Sequence, residues 1–344
     1  MINRLNKILR LSKIKVAVVG GGYWGKNLVR TFSELGVLES VVDSDQVRAS
    51  KLSAEYNVKS FTFEEVLKNK NINCIIISTP AVLHSRMARD ALLADKHVFV
   101  EKPLALNINE AEELVDIAFK KNKILMIGHL MQYHPAFIKL CSIISENKLG
   151  PVQYIYSNRL NLGKVRKEEN ILWSFAPHDV SMILSLMGDF PNSILAIGSS
   201  YLQESIVDVT TTHLKFSNGR NAHIFVSWLH PFKEQKLIVV CKKGMAVFDD
   251  GLPWSEKLIT YNHEIRWEDN EPIPYKSEGT SIKLKESEPL KLEAEHFLQC
   301  VVEGLPPKTD GKEGANVLRI LDAAEKSMNE KRTVEFNRNN KNNQ

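Results

Sequence analysis

The sequence predicts an α/β protein of two domains, the first a parallel sheet covered by helices and the second an α+β domain with a large, mostly antiparallel, open-faced sheet. Three observations predict it. Strand-like and helix-like segments alternate through the first third of the chain, the pattern of a parallel sheet with helical crossovers. The pattern changes near Gly128, and beyond it long alternating runs are separated by tight-turn signals. The chain has 344 residues, enough for two ordinary cores.

In chain order, residues 15–20 (KVAVVG) predict a buried strand, 23–35 a helix, 38–43 a strand, 46–56 a helix and 60–63 a short strand. A helical turn follows at 64–69, then a buried strand at 73–79, a helix at 84–95, a strand at 97–101, a helix at 109–121 and a last strand at 124–127. The division is therefore 14–127 for the first domain and 128–335 for the second. The second opens with a helix at 135–147, Gly150-Pro151 and a strand at 152–158, and a polar stretch at 163–170 leads into the apolar 180–186. Strands at 207–216 and 222–228 flank Ser217-Asn218-Gly219-Arg220, whose Asn-Gly is a hairpin signal. Strands at 236–241 and 245–249 flank a second tight turn, and helices at 293–303 and 314–327 finish the domain. The asparagine-rich 337–344 predicts disorder. An open sheet face fits a twin sheet, so a homodimer or homotetramer is expected.

Composition excludes several classes. No apolar run reaches the length of a membrane span. Forty-five basic against 41 acidic residues give a net charge of +4, too small and too dispersed for a nucleic-acid partner. Cys74, Cys141, Cys241 and Cys300 are widely spaced and form neither a disulfide framework nor a metal-ligand pattern, which fits a reducing cytoplasm and no metal. Cys74 in an apolar strand and Cys300 on an apolar helix face are expected to be buried. Residues 1–13 predict a frayed amphipathic lead-in carrying Arg4, Lys7, Arg10 and Lys13.

The strongest local signal is VVGGGYWGKN, where Gly20, Gly22 and Gly25 join a buried strand to a helix, with Tyr23 and Trp24 in the turn. Glycines there allow a tight turn and close approach of backbone N–H groups to a pyrophosphate at a helix start, the fingerprint of a Rossmann dinucleotide fold. Asp43, at the end of the next strand, is placed to accept hydrogen bonds from ribose hydroxyls and to repel a 2′-phosphate. NAD is favoured over NADP, with Arg48 as the opposing signal. Downstream, Ser78-Thr79-Pro80 ends a strand, His84 stands four residues beyond the proline, and HVFV-Glu101-Lys102-Pro103 ends the fifth strand.

These motifs, with Gly128-His129, His134-Pro135 and the Glu293–Phe297 E-x-x-H-F segment, resemble the Gfo/Idh/MocA oxidoreductase family across residues 14–330. The resemblance implies that Lys102 is catalytic, that a cis peptide precedes Pro103, and that Ser78, Thr79, Pro80, His84, Glu101 and Lys102 lie near the cofactor. A lysine beyond a strand end, partly desolvated beside a positive nicotinamide, is expected to have a lowered pKa and to polarise a sugar hydroxyl.

Family members carry an aspartate four residues before a histidine that precedes a glycine by ten. Here the histidine is His178 and the aspartate position holds Ser174. Pro177 suggests that His178 starts a helix, whose dipole would keep its imidazole neutral and able to accept a proton. Asp179 is expected to bind substrate or cap the turn. Lysine and histidine without that aspartate resemble the nucleotide-sugar branch, including UDP-N-acetylglucosamine and UDP-N-acetylglucosaminuronate 3-dehydrogenases, which serve surface polysaccharide or lipid A synthesis. For such a substrate Arg159, Lys164, Arg166 and Lys167 are candidates for a diphosphate, and Asn158, Asn161, Asn170, Tyr133 and His134 for the sugar. Two other readings stand: a dehydrogenase of a free cyclitol or aldose, and a non-catalytic NAD-bound sensor, favoured only by Ser174.

Overall fold

The computed structural model describes residues 13–163, 165–167 and 169–336. The lead-in expected before Lys13, Lys164 and the tail at 337–344 lie outside the described residues.

The chain forms two compact units. In the first, β1 (Val16–Val19), α1 (Gly25–Glu34), β2 (Leu38–Val42), α2 (Gln46–Tyr56), β3 (Lys59–Ser60), α3 (Phe63–Lys68), β4 (Cys74–Ile77), α4 (His84–Leu93), β5 (His97–Glu101), α5 (Ile108–Lys120) and β6 (Leu125–Gly128) alternate as the sequence predicts. Six parallel strands run in the order β3-β2-β1-β4-β5-β6, so the order reverses between β1 and β4. In open α/β sheets that reversal marks where ligands bind, beyond the carboxyl ends of the strands. Local chemistry sets the helix starts. Asp45 accepts from the N–H groups of Val47 and Arg48 to begin α2. Thr62 and Glu65 form a reciprocal capping box, which turns Phe63 into the first residue of α3 and limits the expected 60–63 strand to two residues.

Residues Glu288–Leu318 also belong to this first unit, which the sequence division at 128 does not anticipate. The reason is apolar burial. In α8 (Pro289–Glu303), Leu290, Ala294, Phe297 and Leu298 complete the core around Val16, Val18, Phe32 and Phe99. Phe297 meets Phe99 edge-on at 5.9 Å.

The second unit contains α6 (Pro135–Ser145), β7 (Val152–Leu160), α7 (Ile171–Met187), β8 (Ser193–Ser199), β9 (Val209–Lys215), β10 (Asn221–Ser227), β11 (Glu234–Cys241), β12 (Gly244–Asp249), β13 (Leu258–Tyr261), β16 (Thr280–Ser281) and β17 (Val334–Glu335). A separate exposed ribbon is made by β14 (Glu264–Glu268) and β15 (Glu271–Tyr275). The nine-stranded sheet is antiparallel except where β10 pairs with β7. Asn218 and Gly219 both take positive φ in the β9–β10 turn, as the Asn-Gly signal predicts. Helix α7 packs on β7, β9 and β10. The opposite sheet face presents stacked Tyr154, Tyr156 and His223 together with the exposed Ile197. Helix α9 (Gly311–Glu330) starts in the first unit and ends in the second.

Cys74, Cys241 and Cys300 are buried, in line with the apolar settings of Cys74 and Cys300. No described helix is long and apolar enough to cross a membrane.

Candidate active site

In the first unit the predicted residues converge on the carboxyl ends of β1, β2, β4 and β5. Gly20 leaves β1 at φ +92°, and a Cβ there would stand 2.6 Å from the Ser78 carbonyl oxygen. At Gly25 a Cβ would fall 1.8 Å from the Gly20 carbonyl oxygen and 2.4 Å from Ser78 Oγ, which itself donates to the Gly20 carbonyl at 2.7 Å. These two glycines are required by the turn. Gly22 is different: a Cβ there would meet no protein atom within 4 Å. It faces open space, which leaves room for a pyrophosphate approaching the start of α1.

Asp43 lies beside this loop with its side chain only 5% exposed. Its carboxylate accepts from Gly21 N–H at 2.7 Å and Asp45 N–H at 2.9 Å, and from Arg48 at 3.0 Å. Burial works to raise its pKa, but the two N–H groups and Arg48 outweigh it and keep the group ionised below the usual range. Arg48 is shared with Asp45 at 3.1 Å, so two carboxylates already engage the cation that would otherwise favour a 2′-phosphate. An ionised carboxylate accepts from hydroxyls and repels a phosphate, so this position fits the ribose diol of NAD.

Lys102 follows β5, half-buried, and the Lys102–Pro103 bond is cis, as the resemblance implies. His84, 1% exposed, bridges two carbonyls: Nδ1 lies 2.7 Å from the Pro103 oxygen and Nε2 2.8 Å from the Thr79 oxygen. Burial lowers its pKa, with Lys102 adding to the effect and the two carbonyls opposing it. His84 therefore stands between the end of β4 and the segment after Lys102, where the single N–H of the neutral ring donates to one of the two carbonyls. Pro80, exposed, opens the turn that leads into α4.

Glu101 shows a link that sequence reasoning missed. Trp24 Nε1 donates to its carboxylate at 2.5 Å, joining the glycine loop to the last residue of β5. Gly128 pairs with Glu101 across β5 and β6, and a Cβ on Gly128 would come within 2.9 Å of that carboxylate. Burial raises the Glu101 pKa to about 7, against the opposing influence of Trp24 and Lys102. Tyr23 is exposed at the mouth of the loop. Tyr133 does not face a ligand: it is 4% exposed in the first unit's core, with its hydroxyl 3.0 Å from Thr309 Oγ1.

In the second unit, α7 carries Ser174, His178 and Asp179. The expectation that His178 starts a helix is corrected. Asn170 accepts from Trp173 N–H at 3.2 Å and begins the helix at Ile171, so Pro177 lies inside α7 and His178 is beyond the first turn, where the dipole argument loses its force. His178 is half-exposed, and Ser174, one turn earlier, shares its helix face. Arg159 is also reassigned: it is 6% exposed, and its guanidinium grips Asp179 through Nε at 2.6 Å and Nη2 at 3.3 Å. Neither Arg159 nor Asp179 is presented to a diphosphate or a sugar.

Asn170 is spent on its cap and on Glu325, and Asn158 donates to Glu234 at 2.7 Å. His134 caps α6 and contacts Asp250. Arg166 pairs with Glu169 at 3.0 Å while still 43% exposed, and Asn161 is half-exposed. Of the ligand candidates in this stretch, Arg166, Lys167 and Asn161 therefore reach solvent.

A parallel sheet with this glycine loop, a buried acidic residue at the end of β2 and a lysine at the end of β5 defines an NAD-binding oxidoreductase. The chain belongs to the Gfo/Idh/MocA oxidoreductase family, whose NAD-binding Rossmann fold matches residues 14–129 and whose C-terminal alpha/beta domain matches 142–336. It is 24% identical over 319 residues to UDP-N-acetylglucosamine 3-dehydrogenase of Acidithiobacillus ferrooxidans, covering 89% of this chain and 94% of that one. The solved structure of that enzyme superposes with a TM-score of 0.81 at 23% identity, covering 91% and 97%. Myo-inositol 2-dehydrogenase of Thermotoga maritima is 23% identical over 339 residues, covering 94% and 98%. GenD2 from gentamicin A biosynthesis, solved in complex with NAD, has a TM-score of 0.81 at 20% identity, covering 95% and 97%.

Proposed function

We propose that this oxidoreductase oxidises a secondary hydroxyl of a nucleotide-linked N-acetylhexosamine, at C3, with NAD as the hydride acceptor. The observation that carries the reading is the placement of Lys102 at the end of β5, on the same sheet edge as the Gly22 gap and Asp43. The likeness over almost the full length to a UDP-N-acetylglucosamine 3-dehydrogenase supports the substrate.

In this mechanism Lys102 polarises the hydroxyl by hydrogen bonding to its oxygen, and His178 receives the hydroxyl proton as the C–H bond breaks. Bound NAD supplies the acceptor for the departing hydride. The carbinol carbon becomes a ketone and the proton rests on the imidazole. With serine at position 174, proton acceptance falls to His178 itself. Asp43 and the glycine loop hold the dinucleotide, and Trp24 and His84 hold the two sides of the turn that carries Lys102. A 3-keto sugar nucleotide is a substrate for amino-group transfer, which fits amino-sugar synthesis for polysaccharide or lipid A.

A second reading, oxidation of a free cyclitol or aldose, is favoured by one observation: Arg159 is committed to Asp179, which removes one of the basic groups expected to meet a diphosphate. A panel of UDP-sugars, free hexoses and inositols with NAD, followed by NADH absorbance, separates the two. The expected kcat/KM is at least about 100-fold higher for a UDP-N-acetylhexosamine, the worth of two charge-assisted contacts. Equal or better turnover of inositol or glucose contradicts it.

A further inference from the structure

Helix α7 has a weak turn just before His178. Pro177 has no N–H, so the carbonyl of Trp173, four residues back, receives no helical hydrogen bond from it. The anchor for that turn is the next residue. Asp179 is 1% exposed and accepts from Ser157 Oγ and from two nitrogens of Arg159. The third guanidinium nitrogen, Nη1, and Asp250 Oδ2 flank the Gln235 amide, and its orientation is assigned from these two neighbours: the oxygen accepts from Nη1 at 3.2 Å and the nitrogen donates to Asp250 Oδ2 at 3.0 Å. Arg159 and Gln235 face each other across β7 and β11, so the sheet register itself holds this joint. Asp250 Oδ1 accepts from Lys257 Nζ at 2.9 Å and lies 3.2 Å from His134 Nε2. His134 Nδ1 accepts from Ala136 N–H at 3.1 Å, which leaves Nε2 as the donor to Asp250. Its ring is stacked on Trp254 at 5.3 Å.

Asp179, Arg159, Asp250 and Lys257 contribute two charges of each sign, with the neutral amide of Gln235 between the two ion pairs. Every link lies within the second unit. A bidentate guanidinium–carboxylate contact fixes orientation as well as distance, and a buried chain loses its benefit when one member is removed. Arg159 and Asp179, both candidates for ligand contacts from the sequence, have their side chains consumed by this chain instead.

We propose that Arg159, Gln235 and Asp250 are positioning residues that act through Asp179 to fix the turn of α7 carrying His178. The proposal rests on the assignment of His178 as proton acceptor, and its test separates the two.

Gln235→Met keeps the volume of the side chain and removes both of its hydrogen bonds. The expected result is a fall in kcat of about 10- to 100-fold, the cost of misplacing a catalytic group by a fraction of an ångström to one ångström, with KM for NAD changed less than twofold. The His178 imidazole resonance, assigned with His178→Gln, is expected to move in Gln235→Met protein without substrate. If Gln235→Met does not fold, Asp250→Asn serves instead: it keeps the shape but replaces the carboxylate that accepts from Gln235, Lys257 and His134 with a neutral amide carrying one acceptor, and the same kinetic and resonance changes are expected. A folded variant in which kcat and the His178 resonance both match the parent protein overturns the proposal. A resonance that moves in a protein that oxidises no sugar leaves the positioning chain standing and refutes the functional reading.

Discussion

Replacing Lys102 by alanine is expected to lower kcat by about 1,000-fold, within the range for losing a positioned acid–base group, while the affinity for NAD changes less than twofold. The separation follows from geometry. The groups that fit the dinucleotide are the Gly20–Gly25 turn and Asp43, which are held by Ser78, by the Gly21 and Asp45 N–H groups and by Arg48. His84 and Trp24 hold the flanking backbone and Glu101, so removing the lysine amine leaves its surroundings in place. Lys102→Arg is not expected to rescue turnover, because a guanidinium keeps its proton and spreads its charge over a plane. Parallel loss of NAD affinity and kcat in Lys102→Ala, read by calorimetric titration and steady-state rates, contradicts the role.

The second large effect comes from a contrast between two glycines of one loop. Gly22→Ala is expected to leave the melting temperature within about 1 °C, because its methyl meets no protein atom and surface-like substitutions of this kind cost under about 0.5 kcal/mol. It is nevertheless expected to weaken NAD about 10- to 100-fold, since the methyl occupies the gap through which the backbone approaches the pyrophosphate. Gly25→Ala is expected to lose both. Its methyl would overlap the Gly20 carbonyl and Ser78 Oγ, so the turn must open at a cost of about 1–3 kcal/mol from overpacking. Thermal melts with and without NAD check the pair. Wild-type affinity in Gly22→Ala denies the loop its assigned ligand.

What the sequence made legible was whatever depends on neighbouring residues. The six parallel strands, the glycine turn, the Asn-Gly hairpin and the lysine after β5 all rest on local pattern and backbone conformation. Asp43 was legible because a fixed spacing from the loop puts it at the next strand end. The failures have a common physical origin in contacts distant along the chain. Arg159 looked like a free cation in a polar stretch, and only folding brings Asp179, 20 residues on, against it. Tyr133 stands beside polar motif residues, yet Thr309, 176 residues away, takes its hydroxyl. Pro177 suits a helix start, but Asn170, a better cap, takes that role nearly two turns earlier. The alternation after residue 128 gave no sign that Glu288–Leu318 would return to the first unit, because its apolar face reads the same whichever core it joins.

In the proposed reaction, hydride leaves a ring carbon of a sugar and arrives on NAD. The most direct measurement is mass spectrometry of the NADH formed from UDP-N-acetylglucosamine deuterated at C3, with the C2- and C4-deuterated sugars as controls. NADH is expected to gain about one mass unit from the C3-labelled substrate alone, as deuteride transfer requires. NADH without the label from the C3 substrate, or label arriving from another carbon, would contradict it.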